Sequence, residues 1–172
     1  MNVYFDNAAT TSVSKTALEA MMPCLTEYYG NPSSLHRKGQ EANQMLDEAR
    51  RTVADCLGAR PEEIFFTSGG SEADNWAITQ AAAMGARKGK RHLISTTFEH
   101  HAVLHTLKKL EQQGFEVTYL PVHEDGLVRL EELSAAIRED TALVTIMYAN
   151  NEIGTIQPIS EIGRLCRDKG VL

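Results

Sequence analysis

The chain has 172 residues, 42% of them hydrophobic and 23% charged, with a formal net charge of −6. That is long enough for one domain with a substantial core, and the composition is that of an ordinary globular protein. Scattered Lys and Arg argue against a basic nucleic-acid face, and no run approaches the roughly 18 apolar residues of a membrane span. Met1-Asn2-Val3-Tyr4-Phe5-Asp6 lacks the charged leader and apolar core of a secretory signal. Cys24, Cys56 and Cys166 are few, odd in number and far apart, which suits a reducing, cytoplasmic setting better than a disulfide framework or a zinc knuckle.

Val3-Tyr4-Phe5 is a short apolar run closed by Asp6-Asn7, and Ser14 is placed to cap a first helix carrying Ala17, Leu18, Met21, Met22 and Leu25. Tyr28 to Ser34 is dense in turn formers and reads as a loop. From Gln40 onward, Ala42, Met45, Leu46, Ala49, Val53 and Leu57 recur at helical spacing and predict one buried stripe, with Gly58 stopping the helix. Ile64-Phe65-Phe66-Thr67 predicts a short buried strand. Ser68-Gly69-Gly70-Ser71 breaks it, and an Ala-rich helix with Trp76, Ile78, Ala81, Ala82 and Met84 follows, ending at Gly85.

The alternation then repeats. Leu93 to Thr96 is a predicted strand, and Glu99-His100-His101 introduces a helix with Val103, Leu104, Leu107 and Leu110 that stops at Gly114. Val117 to Leu120 is a strand, Glu124-Asp125-Gly126 a turn, and Leu130, Leu133, Ala136 and Ile137 mark a short helix. Leu143 to Tyr148 is apolar on both faces, as a covered central strand should be. A last helix holds Ile159, Ile162 and Leu165 and stops at Gly170. Val171-Leu172 then looks like the start of another strand, so the sequence reads as a piece of a longer protein. Such alternation predicts an α/β layer fold with a mainly parallel sheet.

In such sheets ligands collect at the carboxyl ends of the strands. Those ends carry Ser68-Gly69-Gly70-Ser71, Thr97-Phe98-Glu99-His100-His101 and Tyr148-Ala149-Asn150-Asn151-Glu152. A glycine turn before a helix gathers free N–H groups and the positive end of a helix dipole, which stabilise an anion such as phosphate. A capping pair, Ser71 with Asp74, would satisfy the same N–H groups with no ligand at all. An imidazole can stack on a planar ring and move protons near neutral pH, and an Asn amide can both donate and accept. Together they suit a phosphorylated aromatic cofactor. His101 and His105, four apart, could share a metal, but no third ligand is evident and surface or partly buried histidines are the simpler reading. His36, His92 and His123 have no partner in the sequence.

Five motifs, in order and in spacing, resemble one family: Val3-Tyr4-Phe5-Asp6-Asn7-Ala8-Ala9-Thr10-Thr11, Gly30-Asn31-Pro32-Ser33-Ser34 with His36, Phe66 to Asn75, Glu99-His100-His101-Ala102-Val103, and Asn150-Asn151-Glu152-Ile153-Gly154. The chain resembles the cysteine desulfurases of iron–sulfur cluster assembly, within the class V aminotransferase group of pyridoxal-phosphate enzymes. The resemblance covers nearly all the residues here but only the N-terminal part of a typical member. It implies the type I aminotransferase fold, a three-layer α/β/α sandwich in truncated form, with residues 1–15 belonging to a small domain and 16–172 opening the large cofactor domain.

The resemblance further implies that Gly70 and Ser71 bind the phosphate of pyridoxal 5′-phosphate through backbone N–H and hydroxyl. His100 would stack on the pyridine ring and assist proton transfer, and Asn151 would meet the phenolic oxygen or the substrate carboxylate. L-cysteine would be the substrate, with a sulfur-acceptor or scaffold protein as partner, a homodimer as the assembly, and no nucleic acid or membrane involved. The family's pyridine-binding Asp, cofactor-linking Lys and sulfur-accepting Cys have no counterpart in this sequence, so these residues alone are expected to be inactive. A related lyase, such as one acting on selenocysteine, and a non-catalytic truncated product are the competing readings.

Overall fold

The computed structural model describes residues 2–172, and the chain divides into two compact units, Met1–Phe66 and Thr67–Leu172. In the first unit, helix α1 (Lys15–Thr26) begins at Ser14, whose Oγ accepts from the Ala17 N–H at 3.2 Å, as the sequence leads one to expect. Helix α2 (Arg37–Leu57) starts before Gln40, because the His36 Nδ1 takes the capping position and accepts from the Gly39 N–H at 3.3 Å. It stops at Gly58, whose φ of +64° favours glycine.

Two expectations fail in this unit. The α2 stripe is not uniformly buried: Ala42 is buried, Met45 and Leu46 are half-buried, and Ala49, Val53 and Leu57 face solvent. Ile64-Phe65-Phe66 is not part of any sheet, and Phe65 is two-thirds exposed. The Ile64 carbonyl is taken by the Arg50 guanidinium, which lies over the Phe66 ring at 5.0 Å. An apolar run needs a neighbouring ladder to become a strand, and here a side chain occupies its acceptor instead.

In the second unit, α3 (Gly70–Ala86) leads into β1 (His92–Thr96), α4 (His101–Glu111) into β2 (Glu116–Leu120), and α5 (Leu130–Ala136) into β3 (Thr141–Val144), with α6 (Ile159–Asp168) last. The three strands are parallel in the order β2-β1-β3, with His92 opposite both Glu116 and Thr141. Side chains alternate across β1, so neighbouring residues enter different cores. Leu93 packs with Ile78, Ala82, Val103 and Leu107 of α3 and α4, while Ile94 packs with Leu133 of α5 and with Ile162 and Cys166 of α6. Helices on both faces of a parallel sheet make the α/β layer fold anticipated from the alternation, in the three-layer α/β/α form that the family resemblance implies.

Strand β3 is shorter than its apolar run. The Thr145 N–H still donates to the Ile94 carbonyl at 2.9 Å, and the chain then leaves the sheet. On the other side of β3 the Val144 N–H donates to the Leu172 carbonyl at 2.8 Å, so the segment after α6 runs beside this strand. Gly85 does not end α3, as expected from the sequence, but sits inside it. A Cβ there would collide with the Cβ of Ala142, the extra residue where the β1–β3 register slips. Glycine lets helix and sheet approach at this point.

At the amino edge of the sheet His92 is fully buried and joins all three strands. Its Nδ1 meets Thr141 Oγ1 and its Nε2 meets Thr118 Oγ1, both at 2.8 Å. Thr141 Oγ1 also accepts from the Arg138 N–H at 2.8 Å. Burial, helped by the nearby Arg138, pushes this imidazole below its ordinary range.

Candidate functional site

Parallel strands bring their carboxyl ends to one edge, and the N-termini of α3 and α4 lie at that edge because each helix runs back against the strands. Gly69 is fully extended and Gly70 opens α3, so neither needs a positive φ. A Cβ at either position would stand in open space, so the glycines leave the helix end bare and do not relieve strain. The capping pair of Ser71 and Asp74, the alternative to an anion at this turn, does not form. The helix has already begun at Gly70, so Ser71 lies in its first turn. Glu72 Oε2 instead accepts from the Ser68 N–H at 2.6 Å, and that bond holds the Glu72 carboxyl below the usual carboxylate range.

The two helix ends are level. Asn75 Oδ1 accepts from Thr106 Oγ1 at 2.6 Å, and each is the sixth residue of its helix, counted from Gly70 and His101. Packed helices lie about 8–10 Å apart, so the bare end of α3 and the start of α4 stand side by side. The start of α4 is His100 itself. Its Nδ1 accepts from the Ala102 N–H at 3.1 Å, and the ring is exposed. Neutral His100 therefore carries its proton on Nε2, the nitrogen left free for a ligand.

Beyond β3 the chain forms a small hairpin. The Asn150 N–H donates to the Thr155 carbonyl at 3.0 Å, the Gln157 N–H to the Tyr148 carbonyl at 2.9 Å, and Gly154 takes φ +74° near the tip. Asn150 is buried and fully used: its Nδ2 donates to the Phe98 carbonyl at 3.1 Å, and its Oδ1 accepts the N–H groups of Glu152 and Ile153 at 2.8 and 3.0 Å. Asn151, by contrast, is exposed. An open cavity of about 370 Å³ is lined by residues of both loops, among them Phe98, Glu99, His100, Asn150 and Asn151. A larger depression of about 580 Å³ lies between α5 and α6, lined by Glu131, Glu161, Arg164 and Asp168, and contains none of these groups.

The structure thus gathers His100 and Asn151 around one cavity and sets Gly70 and Ser71 on the adjoining helix end. Nothing in residue type or spacing assigns a role to Glu99, to Asn150 or to the Asn75–Thr106 pair. Glu99 is buried, its Oε1 accepting from Thr96 Oγ1 at 3.0 Å and from the Met147 N–H at 2.7 Å, and burial raises its pKa. A charged residue beside an expected helix start reads as solvent-exposed; only the long-range partner Met147 shows otherwise. His101 and His105 stack at 5.5 Å between ring centroids, and among the described residues no group of three His, Cys, Asp or Glu is placed to hold a metal ion. No helix among them is long and apolar enough to cross a membrane.

A phosphate-bearing ring cofactor would need a bare helix end, a flat ring beside it and a polar side chain across from that ring, and this edge of the sheet offers all three. Residues 3–172 match the family described as Aminotransferase class-V, and the chain belongs to that family. It is homologous to the cysteine desulfurases: a protein of Methanosarcina thermophila named cysteine desulfurase IscS is 55% identical over 169 residues, which are 98% of this chain and 42% of that protein. A solved structure titled NIFS-LIKE PROTEIN superposes with a TM-score of 0.94 at 49% identity, covering 98% of this chain and 46% of its own. Another, titled SspA in complex with cysteine, gives 0.92 at 43% identity, covering 98% and 48%. The chain therefore spans less than half the length of these relatives. Members of the family use pyridoxal 5′-phosphate.

Proposed function

We propose that this chain forms the part of a pyridoxal-phosphate-dependent cysteine desulfurase that grips the cofactor's phosphate and one face of its ring. The observation that carries the reading is the Asn150 to Phe98 bond, which brings the Asn151 loop to the cavity beside His100. The backbone N–H groups of Gly70 and Ser71, with the Ser71 hydroxyl, hold the phosphate at the bare end of α3. His100 lies against the ring and holds or moves a proton at Nε2. Asn151 orients the phenolic oxygen or the substrate carboxylate with its uncommitted amide. The cofactor, when bound, supplies an electron sink for the substrate's amine-bearing carbon.

The relative solved with cysteine supports L-cysteine as substrate. Its sulfur passes to an enzyme thiol, leaving alanine and a persulfide, so that atoms balance between L-cysteine plus thiol and alanine plus persulfide. A sulfur-acceptor or scaffold protein then takes the sulfur. The full-length protein works in the cytoplasm as a homodimer, residues 1–15 belong to its small domain, and residues 16–172 open its large one. This chain alone is inactive.

The test is alanine formation from L-cysteine by the full-length protein and by its Ser71→Ala and His100→Ala variants. Loss of the hydroxyl should weaken cofactor binding about tenfold, and loss of the imidazole should cut kcat by about 10²–10⁴. A full-length protein that makes no alanine, or a His100→Ala variant with undiminished kcat, would refute the reading.

A further inference from the structure

The loops that carry His100 and Asn151 leave the sheet from different strands, so nothing in the backbone alone fixes one against the other. Two side chains do. Glu99 reaches from the β1–α4 loop to the Met147 N–H at the base of the hairpin, and Asn150 reaches back from the hairpin to the Phe98 carbonyl. Each is the immediate sequence neighbour of a site residue, Glu99 of His100 and Asn150 of Asn151. The far leg of the hairpin is tied as well: Gln157 Nε2 donates to the Gly126 carbonyl at 2.6 Å and its Oε1 accepts from the Val128 N–H at 3.0 Å. The hairpin is clamped on both sides, with Glu99 and Asn150 holding it on the side of the cavity.

The chemistry of the Glu99 contact is specific. One oxygen, Oε1, accepts both a hydroxyl proton from Thr96 and the N–H of Met147. Reach is what these bonds require, and an amide oxygen at the same place could accept both. A negative charge is not required, and in so buried a position it is unfavourable.

We propose that Glu99 is a positioning residue for the ligand held between His100 and Asn151, acting through the reach of its Oε1 to Met147 and not through its charge. Identifying that ligand as pyridoxal phosphate rests on the function proposed above; the clamp itself does not. Moving either loop by about an ångström is enough to cost a bound group its contacts.

Three variants of the full-length protein separate the possibilities: Glu99→Gln keeps the reach without the charge, Glu99→Asp keeps the charge without the reach, and Glu99→Ala keeps neither. The readouts are pyridoxal phosphate affinity by fluorescence titration and hydrogen exchange at the Met147 amide. Glu99→Ala and Glu99→Asp should weaken affinity at least about tenfold and speed that exchange, while Glu99→Gln stays within about threefold of the parent in both. A Glu99→Asp variant that binds like the parent, or a Glu99→Gln variant as weak as Glu99→Asp, overturns the proposal, even where Glu99→Ala fails to fold. A parent protein that binds no pyridoxal phosphate refutes the functional reading instead, and the exchange at Met147 still decides the clamp.

Discussion

Helices α2 and α4 both place apolar residues at helical spacing, yet Val103, Leu107 and Leu110 of α4 are buried while Ala49, Val53 and Leu57 of α2 face solvent. The difference lies in what the chain does on either side. Helix α4 crosses over between the parallel strands β1 and β2, so it must lie on the sheet and its apolar face meets Leu93 and Leu143. Helix α2 is flanked by a loop and a 3-10 turn, Pro61–Glu63, and among the described residues of its unit no strand offers a face to cover. Periodicity identifies the apolar side of a helix; connection to a sheet decides whether that side is buried.

The sharpest way to break this comparison is to truncate one leucine in each helix. Leu107→Ala should cost about 2–5 kcal/mol of stability, because a fully buried side chain leaves a cavity, whereas Leu57→Ala should stay within about 0.5 kcal/mol. Urea unfolding measures both, and equal effects would abolish the distinction. Glycine gives a second, smaller test. Gly85→Ala pushes a methyl into Ala142 and should destabilise by about 1–3 kcal/mol despite the gain in helix propensity. Gly163→Ala in α6 meets only the flexible end of Arg167, at 3.6 Å, and should stabilise by up to about 1 kcal/mol.

The smallest effect is electrostatic and belongs to the covered sheet. His92 is held neutral between two threonines, with its pKa lowered from 6.5. Below 6.5 the unfolded chain takes up a proton that the folded chain refuses. The contribution is therefore complete above that value and is lost as pH falls towards the folded pKa, with a slope of at most about 1.4 kcal/mol per pH unit. Urea midpoints compared at about pH 7.5 and pH 5.5 should show this loss in the parent and a flatter response in His92→Gln. An unchanged slope would mean that His92 is not the group responsible.

Much of the second unit is legible in the sequence. The strand starts near Leu93, Val117 and Leu143, the turn at Gly126 and the stop at Gly170 follow from local residue chemistry, and so does the parallel α/β class. The misreadings share a cause. Ile64-Phe65-Phe66 reads as a strand and Gly85 as a stop, and each depends on a neighbour distant in the chain: Arg50 taking the Ile64 carbonyl, and Ala142 pressing on Gly85.

The same division runs through the candidate site. Residue type at the carboxyl ends of strands marks out Ser68 to Ser71, His100-His101 and Asn150-Asn151 in one dimension, and the family resemblance is what narrows them to Gly70, Ser71, His100 and Asn151 as proposed site residues. That α3 and α4 start level and that Glu99 and Asn150 clamp one loop to another were decided by hydrogen bonds across 31, 48 and 52 positions of sequence. Residue chemistry and short-range spacing are local properties that a sequence carries openly; the pairing of one buried polar group with another far along the chain exists only once the fold has brought them together.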